Sequence, residues 1–179
     1  MSGLVSRYGS LGLRRRPPFA VLARSIIAQQ ISTKAADTIR QRFNNVYGAP
    51  ERVVASDVKT VLSLGLSEAK AIALRAVATA ALDGELDALE NLPDDAVREY
   101  LRKFKGVGPW TADMFLIFAL ARPDVWPLTD AGLRASLGQQ YHAASRSAME
   151  QVGTRFSPNR SIAALYLWKS LENTAKKAG

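Results

Sequence analysis

Two stretches of this 179-residue chain carry residue types that can do chemistry. KGVGPWTADMF (105–115) sets Gly106, Gly108 and Pro109 directly before an apolar helix. The glycines can adopt positive φ and keep side chains away from an approaching surface. Proline suits the first helical position, where no backbone N–H is missed. The product is helix, tight turn, helix, and the amides and dipole at the second helix's start attract anions. Lys103 and Lys105 stand beside the turn, where a phosphate can lie against bare backbone. Glycine is also common in ordinary turns between helices, so the stretch alone leaves both readings open. In PLTDAGL (127–133), Asp130 precedes AGLRASL, and a Thr-Asp pair there is a routine helix start. A helix N-terminus favours an ionised carboxylate, and an anion held there can stabilise a developing positive charge.

Composition removes other chemistries. The absence of cysteine excludes disulfides, thiolate zinc sites, iron–sulfur clusters and a Cys nucleophile together. The lone His142 cannot make a polyhistidine metal site and reads as a surface residue near a helix end. Lys and Arg total 24 against 16 Asp and Glu, a formal charge of +8. That balance makes polyanions, nucleic acid first, the natural partners, although charge also serves solubility. The uncharged run MFLIFALA (114–121) is far short of the ~20 residues a membrane span needs. No apolar stretch precedes Arg14, Arg15 and Arg16, so no signal peptide is read. The expectation is an intracellular, soluble chain without a membrane partner.

The elements that must position these residues read as helices. Apolar residues recur at three- and four-residue spacing, and alternating strand-type runs are missing. Pro17 and Pro18 open a first helix carrying Phe19, Leu22, Ile26 and Ile27. Ser32 caps a second, with Ala35, Ile39 and Phe43 inward, ending at Gly48 and Pro50. Short helices follow near 51–55 and 57–64, and Ser67 caps a longer one through Leu82. After a short piece at 85–90, Pro93-Asp94-Asp95 starts a helix through Phe104, and Pro109 another through Leu120. RPDVWP (122–127) reads as extended, because proline disfavours helix at the residue before it. Helices near 130–137, 145–155 and 159–177 complete an all-α chain long enough for a real core.

LRKFKGVGPWTADMFLIFALARPDVWPLTDAGLR (101–134) resembles the helix-hairpin-helix (HhH-GPD) DNA glycosylases, in which a glycine hairpin precedes a catalytic aspartate. The closer likeness is to the 3-methyladenine DNA glycosylase II branch, the AlkA-like alkylpurine enzymes. SIIAQQISTKAA (25–36), LGLSEAKA (64–71) and RSIAALYLW (160–168) match as well, so the likeness spans roughly residues 17 to 172 in the family's order. It implies a two-lobed helical fold with a cleft between the lobes. One lobe would cover 25–129, with the hairpin at 94–120, and the other 1–24 with 130–179. No extra N-terminal β-domain of the kind some relatives carry is expected.

The resemblance implies roles for particular residues. Asp130, twenty residues beyond Trp110, takes the place of the catalytic aspartate. Its carboxylate would stabilise the oxocarbenium-like sugar formed as an N-glycosidic bond breaks. Trp110, Met114 and Trp168 would line a base pocket, where electron-rich rings attract a cationic base. The plainer reading keeps Met114 and Trp168 as core, with Trp126. Gln29, Gln30, Ser32, Lys103, Lys105, Gly106, Val107, Gly108 and Thr111 would contact DNA, with Gln30 as the wedge filling the gap left by a flipped base. Asp113 reads as a first-turn partner of the helix dipole. No cofactor and no catalytic metal are expected, and the hairpin carbonyls are a candidate seat for a monovalent cation.

Two departures from related enzymes narrow the chemistry. Similar adenine glycosylases carry a glutamate where this chain has Ser25, so a leaving base finds no general acid there. Bifunctional glycosylase/lyases carry a lysine where this chain has Trp110, and without that amine there is no Schiff base. Both favour a monofunctional enzyme for purines already cationic, such as 3-methyladenine and 7-methylguanine, acting as a monomer on damaged double-stranded DNA. Its place would be the cytoplasm and nucleoid of a prokaryote or the nucleus of a eukaryote. The rival readings are a non-catalytic DNA-binding or lesion-sensing module, a glycosylase for deaminated or oxidised bases, and a helical interaction protein.

Overall fold

The computed structural model describes residues 1–29 and 33–177, and among them every regular element is helical. The chain divides into two compact units, residues 15–120 and residues 1–14 with 121–179. The first helix, α1 (Ser2–Tyr8), belongs to the second of these units. It was not legible in the sequence. None of its residues is fully buried; Met1, Leu4 and Tyr8 are half-buried along one face, an apolar spacing too short to stand out in the sequence.

In residues 15–120, α2 (Pro18–Ala28) begins with proline in its first turn and buries Phe19, Leu22, Ile26 and Ile27. The segment α3 (Thr33–Tyr47) follows, burying Phe43 and Tyr47, and then come α4 (Pro50–Ala55) and α5 (Val58–Leu62). At the centre lies α6 (Glu68–Leu82), started by the Ser67 hydroxyl accepting the Lys70 amide. Its buried face is Ala71, Leu74, Val77 and Ala78, packed on α2 and α4. Alanine serves twice there, as the best helix former and as a side chain small enough for close helix approach. After α7 (Glu85–Ala88) and a 3₁₀ turn at Leu89–Asn91 come α8 (Asp94–Leu101) and α9 (Pro109–Phe118). The helix α8 stops at Leu101, short of the expected Phe104, because the chain already turns over 102–106.

The other unit is built on α10 (Ala131–Tyr141), α11 (Arg146–Thr154) and α12 (Arg160–Lys177). Leu128, Leu133, Leu137, Met149, Ala164 and Leu167 form its core, with Trp126 and Trp168 partly buried against it. The Trp126 indole N–H donates to the Met149 carbonyl at 3.1 Å and lies flat on Gly153, where an added Cβ would sit 2.4 Å from its nitrogen. Segment 122–127 is non-helical but turns at Pro123–Asp124 instead of running extended throughout, and it is anchored by Asp124, whose two oxygens take the Arg160 guanidinium at 2.7 and 2.9 Å. His142 ends α10 exposed, in the left-handed region. The N-terminal residues are tied to α12 through the Tyr166 hydroxyl, which donates to the Gly9 carbonyl and accepts the Leu11 amide. Among the described residues no helix is long and apolar enough to cross a membrane.

Candidate active site

The glycine hairpin forms as helix, turn, helix. Gly106 has φ +90°, a region that costs an L-residue about 1–2 kcal/mol, so the backbone itself requires glycine there. Gly108 differs from the expectation. Its φ is −97°, open to any residue, and an added Cβ would meet nothing within 4 Å. Neither its φ nor its neighbours demand a glycine at 108, although glycine is also a favoured residue at the cap position it occupies. Lys103, Lys105 and Gly106 are exposed around the turn. Val107 and Thr111 are buried at 5% and 1% exposure, so their side chains point into the unit rather than out of it.

Polar contacts brace this turn from within. The Gln29 amide donates to the Gly106 carbonyl and to the Thr111 hydroxyl, each at 2.8 Å, joining the end of α2 to the hairpin. The Lys70 ammonium donates to the carbonyls of Ile27 and Gln29, at 2.9 and 2.7 Å, and so closes the C-terminus of α2. Burial there lowers the Lys70 pKa from the ordinary lysine range. Asp113, read from sequence as a dipole partner, instead pairs across the hairpin with Arg98 on α8 at 3.0 Å. Burial raises the Asp113 pKa, and the bonded guanidinium opposes that rise. Gln30 and Ser32 lie outside the described residues.

Beside the hairpin, residues 15–120 enclose a cavity of about 730 Å³. Trp110, Met114 and Phe118 of α9 form one wall, Ser25 and its neighbours on α2 another, and α3 a third. Arg16, Arg24 and Arg40 also line it, against a single carboxylate, Asp37, which pairs with Arg40. The Arg16 guanidinium stacks over the Phe118 ring at 5.3 Å. Partial burial, and after it the charges of Arg40 and Arg16, hold the Arg24 guanidinium below the ordinary arginine range. The cavity thus offers a flat aromatic wall, a soft thioether and three guanidinium donors. The three arginines were not legible as a group, because they come from a loop and two helices and carry no shared spacing.

Asp130 and Trp168 belong to the other unit. Asp130 occupies the cap position of α10, where its Oδ1 accepts the Leu133 amide at 2.6 Å. The same oxygen accepts the Trp168 indole N–H at 2.8 Å. The Arg134 guanidinium donates to the carbonyls of Leu128 and Thr129, which fixes the turn leading into the cap. The sequence signalled the cap but not the indole bond, which joins residues 38 apart.

Both the hairpin and the capping aspartate lie within a stretch that known proteins share. Residues 23–158 match the family model described as HhH-GPD superfamily base excision DNA repair protein. The chain belongs to the HhH-GPD superfamily. Among its relatives, the alkylbase DNA glycosidase-like protein mag2 of Schizosaccharomyces pombe is 31% identical, over 94% of this chain and 86% of that protein. The 3-methyladenine DNA glycosylase Mag1 of the same yeast, solved in complex with abasic DNA, superposes with a TM-score of 0.79 at 29% identity, covering 96% and 90% of the two chains. A DNA-3-methyladenine glycosidase of Bacillus halodurans gives 0.76 at 31% identity, covering 98% and 85%. The matched stretch contains both the hairpin at 106–108 and Asp130. Among the described residues no group of three or more His, Asp or Glu gathers that could hold a metal ion.

Proposed function

We propose that this protein is a DNA N-glycosylase of base excision repair that extrudes and excises alkylated, cationic purines such as 3-methyladenine and 7-methylguanine. The observation that carries the reading is the Asp130 carboxylate, fixed at a helix start by two N–H donors in an HhH-GPD chain whose relatives are named 3-methyladenine DNA glycosylases.

The chemistry follows from charge. A purine alkylated at N3 or N7 leaves as a neutral molecule, so departure needs no general acid. Ser25, at the wall of the cavity, is not one. Departure leaves positive charge on the sugar, which the Asp130 carboxylate stabilises electrostatically while water adds to the opened face. The exposed turn with Lys103 and Lys105 holds phosphates, Trp110 and Met114 face the extruded base, and Gln30 fills its place in the duplex. Trp110 stands where a lyase would need an amine, so the abasic strand is left intact.

The test is a panel of duplexes containing 3-methyladenine, 7-methylguanine, hypoxanthine, uracil and 8-oxoguanine, with release of free base measured. Release of the two alkylated purines without strand breakage is expected. Binding without any release would leave a non-catalytic lesion sensor. Strand breakage with a borohydride-trapped complex would overturn the monofunctional assignment.

A further inference from the structure

Two donors converge on one oxygen of Asp130, and only one of them is explained by the helix. The Leu133 amide, three residues on, is the bond any capping aspartate makes. The Trp168 indole comes from α12, and helix capping does not call for it. A single capping bond leaves the carboxylate free to rock about that bond. A second donor from another direction fixes its plane.

The surroundings are built for this approach. Gly132 has no need of glycine's backbone freedom, since its φ is not positive. Its missing side chain matters instead, because a Cβ there would lie 3.1 Å from Asp130 Oδ1 and 3.5 Å from Trp168 Cδ1. The indole would stand at ordinary contact distance from such a Cβ, so what the hydrogen-only position spares is crowding of the carboxylate oxygen that both donors share. The spacing of α10 and α12 is set nearby by the buried hydroxyls of Ser136 and Ser170, bonded at 2.9 Å, and by Leu133, Leu137, Ala164 and Leu167.

We infer that Trp168 is a positioning residue for the Asp130 carboxylate, acting through its indole N–H, with Gly132 leaving room for the shared oxygen. This replaces a role as a platform for the base, and it rests on Asp130 being the carboxylate that stabilises the sugar cation. The two roles separate cleanly. A base platform contributes independently of the carboxylate, whereas a positioning residue has nothing to contribute once the charge is gone.

The experiment is a double-mutant cycle on single-turnover excision of 7-methylguanine from duplex DNA, with folding followed by thermal melting. Trp168→Phe keeps an aromatic ring and removes the N–H. A hydrogen bond to a charged group is of a size that gives about a ten- to hundredfold loss of rate. The enzyme concentration at half-maximal rate should stay unchanged. Placed on Asp130→Asn, the same substitution should cause little further loss. Gly132→Ala should show the same signature more weakly. If Trp168→Phe fails to fold, benzothienylalanine placed at 168 keeps the shape and replaces the N–H by sulfur, with the same loss expected. A folded variant at full rate, or a loss that multiplies undiminished onto that of Asp130→Asn, overturns the inference. Full excision by Asp130→Asn alone would instead overturn the reading it rests on.

Discussion

The helices α9 and α10 start within some twenty residues of each other along the chain, and their starts differ in kind. The start of α9 is capped by Gly108, which has no side chain, and is flanked by exposed Lys103 and Lys105. The start of α10 is capped by Asp130, whose carboxylate is already bonded to a helix amide and to an indole. Both exploit the positive end of a helix. One has no acidic side chain in its cap or first turn, and the other builds the anion in. The first arrangement suits reversible capture of a phosphate, and the second suits a fixed charge held ready for a transient cation.

If that contrast is right, salt acts on one helix start and not on the other. Binding of undamaged duplex should fall with a log–log slope near −4 to −5, for roughly 4–6 phosphates neutralised, which is about several hundredfold between 50 and 200 mM salt. The single-turnover rate at saturating enzyme should barely move over that range. A titration series paired with excision kinetics reads both, and a flat binding curve would remove the phosphate role from the hairpin.

The next effect belongs to the built-in anion. Asp130→Asn keeps the cap's size and much of its hydrogen bonding, so melting should change little, whereas excision should slow at least about a hundredfold. Near-normal excision by the folded variant would reduce Asp130 to a cap.

The two glycines sharpen the contrast at smaller cost. Gly106→Ala should destabilise the protein by about 1–2 kcal/mol, because its φ is +90°. Gly108→Ala should alter stability by no more than about 1 kcal/mol, yet weaken DNA binding in every sequence context alike. Urea unfolding and a binding titration on the pair separate a glycine kept for the backbone from one kept for the partner. Equal stability losses would end that distinction.

The smallest effect concerns the arginines in the cavity beside Trp110. Arg24→Gln removes one of the three guanidiniums that line it. The ratio of excision of cationic 7-methylguanine to neutral hypoxanthine should rise about two- to fivefold at low salt, since partly screened charges interact by roughly 1 kcal/mol. An unchanged ratio would mean that the extruded base does not sense this wall.

The two helix starts also show what a sequence can disclose. Ser67, Pro109 and Asp130 announced their helices because capping and first-turn preferences are local. The end of α8 at Leu101 was missed because the next residues tighten into turns, with Lys103 and Phe104 amides bonded three residues back, and no residue type marks that change. The helix α1 was missed because it is two turns long and its apolar face is only half-buried. At the site, the carboxylate was legible and its second donor was not. The inward use of Gln29, bonded to Gly106 and Thr111, was equally hidden, since a glutamine at a helix end looks the same whether it faces solvent or neighbour.

Trp126 and Gly153 carry a consequence for how such a chain can change over time. With 2.4 Å between the indole nitrogen and the place of a Cβ, alanine at 153 and the indole of Trp126 as it lies exclude one another. A side chain at 153 would force the indole of Trp126 to move, so loss of that glycine is easiest after, or together with, a smaller residue at 126. The two positions should therefore drift as a linked pair, with the order of their replacement biased by volume.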